Sequence, residues 1–185
     1  MPVRTDADVR ASIDGDLYVG PLGTAVPPLS LDTPIPSPWV PVGYWSDAGL
    51  ATERSIDRTD KFAFQNVDLV RTLSGEAYAT FELSLIQESI DNVELVNNGV
   101  VDRATGKISV RVGSTKKQSF LFVILDGEYI LFIHIPVGII DEVGGDTYSS
   151  DELREKTITI KAYGVKGVHY DEYRSNFVTT GDGNV

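Results

Sequence analysis

Residues 75–86 alternate with a period of two: Ala77, Ala79, Phe81, Leu83 and Leu85 fall on one face, Glu76, Tyr78, Thr80, Glu82 and Ser84 on the other. Only an extended strand sends successive side chains to opposite faces, so one face here is core and the other is wet. Residues 107–112 repeat the pattern with Ile108, Val110 and Val112 inward, and residues 157–163 repeat it with Ile158, Ile160 and Ala162. Residues 120–125 and 129–135 are apolar on both faces. They are joined across Asp126-Gly127, a pair that accepts the positive φ of a type I′ turn, which predicts a central hairpin covered on both sides.

The remaining segments fit around these strands. Seven of the nine prolines lie between residues 21 and 41; proline lacks the backbone donor, so this stretch is expected to be an extended connector and not a central strand. One helix is expected over residues 87–98, where Ile86, Ile90, Val93 and Val96 form a stripe, Glu88 and Asp91 suit the positive end of the dipole, and Asn97, Asn98 and Gly99 supply a C-terminal cap. The architecture expected is mainly β: about eight strands in a β-sandwich or partly closed barrel, with one flanking α-helix. Residues 1–12 and 178–185 read as terminal arms around a domain of residues 13–177.

Composition narrows the function. The 185 residues carry 16 Lys and Arg against 27 Asp and Glu, a formal charge of −11, which argues against wrapping nucleic acid, because phosphate binding depends on Lys and Arg releasing counterions. With 42% apolar residues the chain can build a core. It has no cysteine, hence no disulfide, thiol nucleophile or Cys-based metal site. Arg4, Asp6, Asp8 and Arg10 do not make a signal peptide, and no apolar run approaches the roughly 20 residues of a membrane helix, so the reading is a soluble intracellular chain with no membrane partner.

Catalytic and metal motifs are equally absent from the expected picture. His134 sits inside an apolar strand and reads as structural; His169 sits in a turn and reads as solvent-facing. No Gly-x-Ser-x-Gly elbow, P-loop or dinucleotide fingerprint occurs. Asp14-Gly15-Asp16 opens like a calcium loop, but Tyr18 and Ala25 occupy positions that need oxygen ligands. Glu76 and Glu82, separated by roughly 20 Å of strand, are too far apart for a two-carboxylate mechanism. The expectation is no enzyme, no cofactor and no metal.

Residues 46–71 read as a long loop that mixes Glu53, Arg54, Asp57, Arg58, Asp60 and Lys61 with Phe62, Phe64, Val67, Leu69 and Val70. Loops of that length in a compact domain usually bind or assemble.

Ordered runs along the chain carry a resemblance. Asp16-Leu17-Tyr18-Val19-Gly20-Pro21-Leu22-Gly23-Thr24, then Trp39-Val40-Pro41-Val42-Gly43-Tyr44-Trp45-Ser46-Asp47-Ala48-Gly49-Leu50, then residues 53–60, Val70-Arg71-Thr72, and residues 130–137 and 157–163 resemble the major tail proteins of long, non-contractile-tailed bacteriophages, especially those of actinobacterial hosts. The resemblance implies a tail tube fold and a structural virion protein. Its hexameric rings would stack into the channel for genome ejection, with sheets of neighbouring copies joined into one barrel around the lumen. It also implies that the long loop and the arms reach adjoining rings, and that the partners are copies of itself, a tape measure protein, a tail terminator and distal tail or baseplate proteins. Genomic DNA would pass without specific binding, in a virion tail assembled in the host cytoplasm. Where related proteins carry a tryptophan near the end of the loop, this chain has Phe64 within Phe62-Ala63-Phe64-Gln65. Phe62, Phe64, Arg58, Asp60 and Lys61 are therefore the candidate inter-subunit contacts, and Glu76 and Glu82 the candidate lumen groups. The rival reading is a carbohydrate-binding or Ig-like decoration module presenting Trp39, Tyr44 and Trp45.

Overall fold

The computed structural model describes residues 14–30, 34–62, 69–111, 116–145 and 154–177. Its elements in chain order are β1 (Asp14–Gly20), β2 (Val40–Pro41), β3 (Ala51–Phe62), β4 (Leu69–Leu85), α1 (Ile90–Asn97), β5 (Val101–Asp102), β6 (Lys107–Ile108), β7 (Gln118–Asp126), β8 (Tyr129–Val143), β9 (Lys156–Ala162) and β10 (Asp171–Arg174), with a 3₁₀ turn at Ser175–Phe177. The main strands run in the order β2-β1-β7-β8-β9-β4-β3, and β10 also pairs with β8. Every pairing between these strands is antiparallel.

Strand β8 changes partners along its length within one continuous sheet. From Tyr129 to Gly138 it pairs with β7 on one side, and β10 pairs with Leu131 to His134 on the other; from Gly138 to Val143 it pairs with β9. The crossing is built by Pro136 and Gly138. Phe120 faces Ile135 while Gln118 faces Gly138, so β8 carries one extra residue there, and Pro136, which has no N–H for the ladder, sits in that bulge. Ser119 stitches it: its hydroxyl donates to the Pro136 carbonyl (2.8 Å) and accepts the Gly23 N–H (3.0 Å). At Gly138 a Cβ would stand 3.0 Å from the fully buried ring of Phe120, so only glycine lets the strand cross so closely.

The bend folds the strand order into a sandwich, not a closed barrel. One layer is β2-β1-β7-β8-β10 and the other β8-β9-β4-β3. Leu17, Val19, Phe120, Phe122, Ile133 and Ile135 of the first pack with Ala79, Phe81, Leu83, Leu85, Ile140, Ile158, Ile160 and Ala162 of the second. The Phe81 and Phe122 rings stack at 5.6 Å across the middle. Each such side chain contributes about 1.5–3 kcal/mol on burial, so the alternation read in β4 supplies much of the core.

The other face of the β7–β8 hairpin is covered too. Leu121, Val123 and Phe132 pack with Trp39, against Val26, Leu29 and Ile35 of the proline-rich connector. That connector is a lid, with Trp39 Nε1 donating to the Ala25 carbonyl at 3.1 Å. The doubly covered hairpin is as expected, and Gly127 at its turn has φ 60°.

Two expectations change. The helix is shorter and turned: Ser89 caps it by accepting the Asn92 N–H, Asn98 ends it in the left-handed region, and Ile90 is 44% exposed. Asn92 is buried instead, donating to the carbonyls of Val42 and Gln87. A polar anchor thus outweighs the apolar stripe. The strand expected at residues 107–112 is reduced to Lys107–Ile108, Val110 is 61% exposed, and Val112 lies outside the described residues.

His134 is structural, as expected: it is buried edge-on against Trp39 at 6.0 Å, and its Nε2 has no partner among the described residues. Burial pushes its pKa below the ordinary value of about 6.5 despite the opposing charge of Asp171. The folded state keeps this ring neutral while the unfolded chain protonates it, so stability is lost as pH falls below about 6.5 towards the lowered folded pKa, at up to about 1.4 kcal/mol per pH unit. Thermal melts from pH 7.5 to 5.5 should show a steeper loss of Tm for the native chain than for His134→Leu, which has nothing to titrate there.

Candidate assembly site

The stretch expected to be a loop is mostly strand. Residues 51–62 form β3 and residues 69–71 begin β4, paired from Ala51–Glu82 through Phe62–Leu69. Because β9 covers β4 only from Ala79 to Leu85, residues 69–78 and their β3 partners continue alone as a two-stranded ribbon. At roughly 3.3 Å per residue it projects about 30 Å. Such an isolated ribbon is marginal in water.

The register assigns its faces. Between Ile56 and Arg58 on β3, β4 passes from Ala77 to Ser74 and carries an extra residue, so the face flips there. Arg58 and Asp60 then share one face with Thr72, whose hydroxyl donates to Asp60 at 2.7 Å. Thr59 and Lys61 share the other with Leu73 and Arg71. Phe62 ends β3, while Phe64 lies outside the described residues. The structure therefore gathers Arg58, Asp60 and Lys61 on the projecting ribbon.

The ribbon is braced at its root. His169 Nε2 lies 2.8 Å from the Ala77 carbonyl; a carbonyl only accepts, so this nitrogen carries the proton. Arg54 reaches Glu172 at 3.4 Å and lies 5.2 Å over the Tyr170 ring, which meets Phe81 edge-on. His169, expected to face solvent, is instead half-buried and holds β4 where β9 has ended.

The second layer has two open edges among the described residues. One is the outer side of β3; the other is the side of residues 139–143 that β7 does not reach. Its outward face carries Glu53, Glu82 and Glu142 with Thr80, Ser84, Thr157 and Thr159, and Ser84 and Thr157 share a hydrogen bond of 2.8 Å. Lys161, the cation there, lies 4.8 Å over the Tyr78 ring. Glu82 is exposed on this face, and Glu76 is exposed beside the bulge. Glu142 escaped the sequence reading because a second bulge, between Ile140 and Glu142, breaks the alternation around it.

Two other candidate sites are not assembled among the described residues. Trp39 is buried and Trp45 is half-buried with Nε1 donating to Gly15, so of the three aromatics of the rival reading only Tyr44 is exposed, at 75%. Asp14-Gly15-Asp16 lies in β1, paired with β7, and not in a loop.

A family model described as phage tail tube protein matches residues 1–175. The chain belongs to the phage tail tube protein family. No curated protein sequence matches it significantly. Among solved structures, the tail tube protein is similar to a chain of the sheath–tube complex of an extracellular contractile injection system in its extended state. That pair has 8% identity, covers 91% of this chain and 93% of the other, and has a TM-score of 0.50. It is also similar to a chain in the tube-terminating cap of an anti-feeding prophage (9% identity, 95% of each chain, TM-score 0.49) and to one in the tail of an empty gene transfer agent particle (8%, 88% and 96%, TM-score 0.43). At such identities the first of these likenesses bears on fold alone. The family makes this chain a structural component of phage tails.

In the isolated tail tube protein, amides of residues 55–61 and 70–77 should exchange with deuterium within seconds, while those of residues 79–85 and 120–124 stay protected for hours. Equal protection in both groups would contradict a ribbon without a partner.

Proposed function

We propose that the chain is the repeating subunit of a phage tail tube, closing into hexameric rings through the two open edges of its second layer and stacking to form the channel for genome ejection. The observation that carries this reading is that one four-stranded layer has no strand paired to either of its edges among the described residues. Open edges invite pairing with other chains; β3 of one copy and residues 139–143 of the next make unlike surfaces, so their contact is heterologous and a rotation can close it into a ring. Six layers of four strands give roughly 24 strands, a backbone circle about 50 Å across at a tilt of about 40°.

In that ring the outward face bearing Glu53, Glu82 and Glu142 lines the channel, Glu82 being a lumen group and Glu76 standing nearer its rim. Carboxylates and hydroxyls present no counterion-releasing contacts to phosphate, so DNA slides without adhering. The cation Lys161 is occupied by the Tyr78 ring. The ribbon with Arg58, Asp60, Lys61 and Phe62 reaches the adjoining ring, and Phe64 and the arms at residues 1–12 and 178–185, which lie outside the described residues, share in that contact. The role is structural and not enzymatic. Tail terminator, tape measure and distal tail or baseplate proteins are the partners at the ends and in the bore, within a non-contractile tail assembled in the host cytoplasm.

A chain without cysteines allows a clean test. Single cysteines at residues 51–56, each combined with Glu142→Cys, should in one register give oxidised ladders ending at a covalent hexamer in assembled tubes and none in dilute monomer. Assembled tubes that cross-link in no register would contradict the edge pairing. Phe64→Asp should block polymerisation while leaving the monomer's circular dichroism and Tm unchanged.

A further inference from the structure

The register within the second layer constrains how its two open edges can meet. Strands β8, β9, β4 and β3 alternate in direction across the layer, so β3 and residues 139–143 run opposite ways. Rotation about the bore preserves strand direction, and the seam between neighbouring copies is therefore an antiparallel ladder. Within one copy Glu142, Thr159, Glu82 and Ala51 form a single row. Four strands span about 19 Å, and a tilt of about 35–45° displaces the next copy along the strands by about 13–19 Å, roughly four to six residues.

Three constraints select within that range. Side chains opposed across a ladder share a face, so the step must be even for Glu142 to stay with the outward residues of β3, which are Ala51, Glu53, Ser55 and Asp57. Strand β3 begins at Ala51, so the step runs towards higher numbers. A step of about six residues would carry Ile140 to Arg58, past the bulge opposite Asp57, where the ribbon bends. The step of about four remains: Glu142 of one copy stands opposite Ser55 of the next, with Glu53 and Asp57 on the two diagonals.

The core side of the seam follows from the same register. Ile56, Ile140 and Val143 all face the core of the sandwich. With Asp141 taken up by the bulge in β8, Ile140 falls opposite Ile56, and Val143 lies on its diagonal. Ile56 is 45% and Val143 40% exposed in the single copy. On the bore side no cation faces out from residues 51–57 or 140–143, since Arg54 points to the core side. Glu53, Asp57 and Glu142 have no ion pair or hydrogen bond among the described residues.

We propose that copies join at this register, with Ile56 of one copy clasped by Ile140 and Val143 of the next while Glu142 is held between Glu53 and Asp57. The apolar contact draws the seam together, and the like charges on the bore face push it apart. Ring closure is then governed by ionic strength: salt screens the exposed carboxylates and leaves the apolar contact, so assembly strengthens as salt rises.

The inference rests on the tube reading, and the outcomes separate the two. Ser55→Cys/Glu142→Cys should oxidise to a covalent hexamer in assembled tubes, whereas Ala51→Cys/Glu142→Cys and Glu53→Cys/Glu142→Cys should not. Asp57→Asn/Glu142→Gln should lower the critical concentration for polymerisation at least about threefold at about 50 mM NaCl and leave it unchanged at about 1 M, measured by sedimentation and negative-stain microscopy. Asp91→Asn/Glu128→Gln, which removes the same charge elsewhere, should shift it by less than about twofold. Ile56→Asp should raise it at least about tenfold, with the circular dichroism and Tm of the monomer unchanged. Cross-linking in another register, a neutralised seam that polymerises no better than the control, or an Ile56→Asp chain that polymerises like the native one overturns this seam and leaves the tube reading intact. A native chain that forms no tube even with its tail partners overturns the tube reading itself.

Discussion

Strand β8 crosses from one layer to the other at Pro136 and Gly138, and most of the molecule follows from that crossing. Proline interrupts the ladder, the missing Cβ at residue 138 admits the Phe120 ring, and Ser119 ties the bulge to the start of the connector. The bend brings Phe81 over Phe122 and closes the core. It also separates residues 139–143 from β7 and leaves that edge open. Gln118, the first residue of β7, pairs with Gly138, so β7 ends where β8 crosses. The same geometric step therefore builds the hydrophobic core and creates the surface to which assembly is assigned.

The ribbon has the opposite character. Its residues have no layer on either side, so packing contributes little and backbone pairing with local contacts holds it. Its root is fixed by His169, Arg54, Tyr170 and Glu172 around the point where β9 stops. The exposed ion pair at that root is worth little by itself. Its value is directional, in setting how the ribbon leaves the sheet. A subunit built this way is complete in its core and incomplete at its edges, which suits a part that acts only in numbers.

Much of this was legible in the sequence because burial writes a period. Ala79, Phe81, Leu83 and Leu85 announce β4, Ile158 and Ile160 announce β9, and the doubly apolar runs around Asp126-Gly127 announce a hairpin with both faces covered. The ribbon looks like a loop in the sequence for the same reason turned around: from Glu53 to Lys61 neither face is buried, so no apolar alternation marks it as strand. The helix turns a different face inward than its apolar stripe implies because Asn92, not Ile90, finds partners inside. Trp39 and Trp45 looked like surface aromatics, but the connector and β1 satisfy their indole N–H groups and draw the rings in. The bulges at residues 136–138 and 141 leave no trace in a hydropathy pattern, and the open edge beside them was equally silent.

The central claim is that the second layer of one copy continues into the second layer of the next. A cryo-EM map of the native tail at a resolution that traces the backbone tests it most directly. The account predicts main-chain hydrogen bonds between β3 and residues 139–143 of a neighbouring copy around a closed ring, with Glu82 facing the bore. A map in which β3 borders solvent, or in which the Glu82 face lies on the outside of the tube, would contradict it.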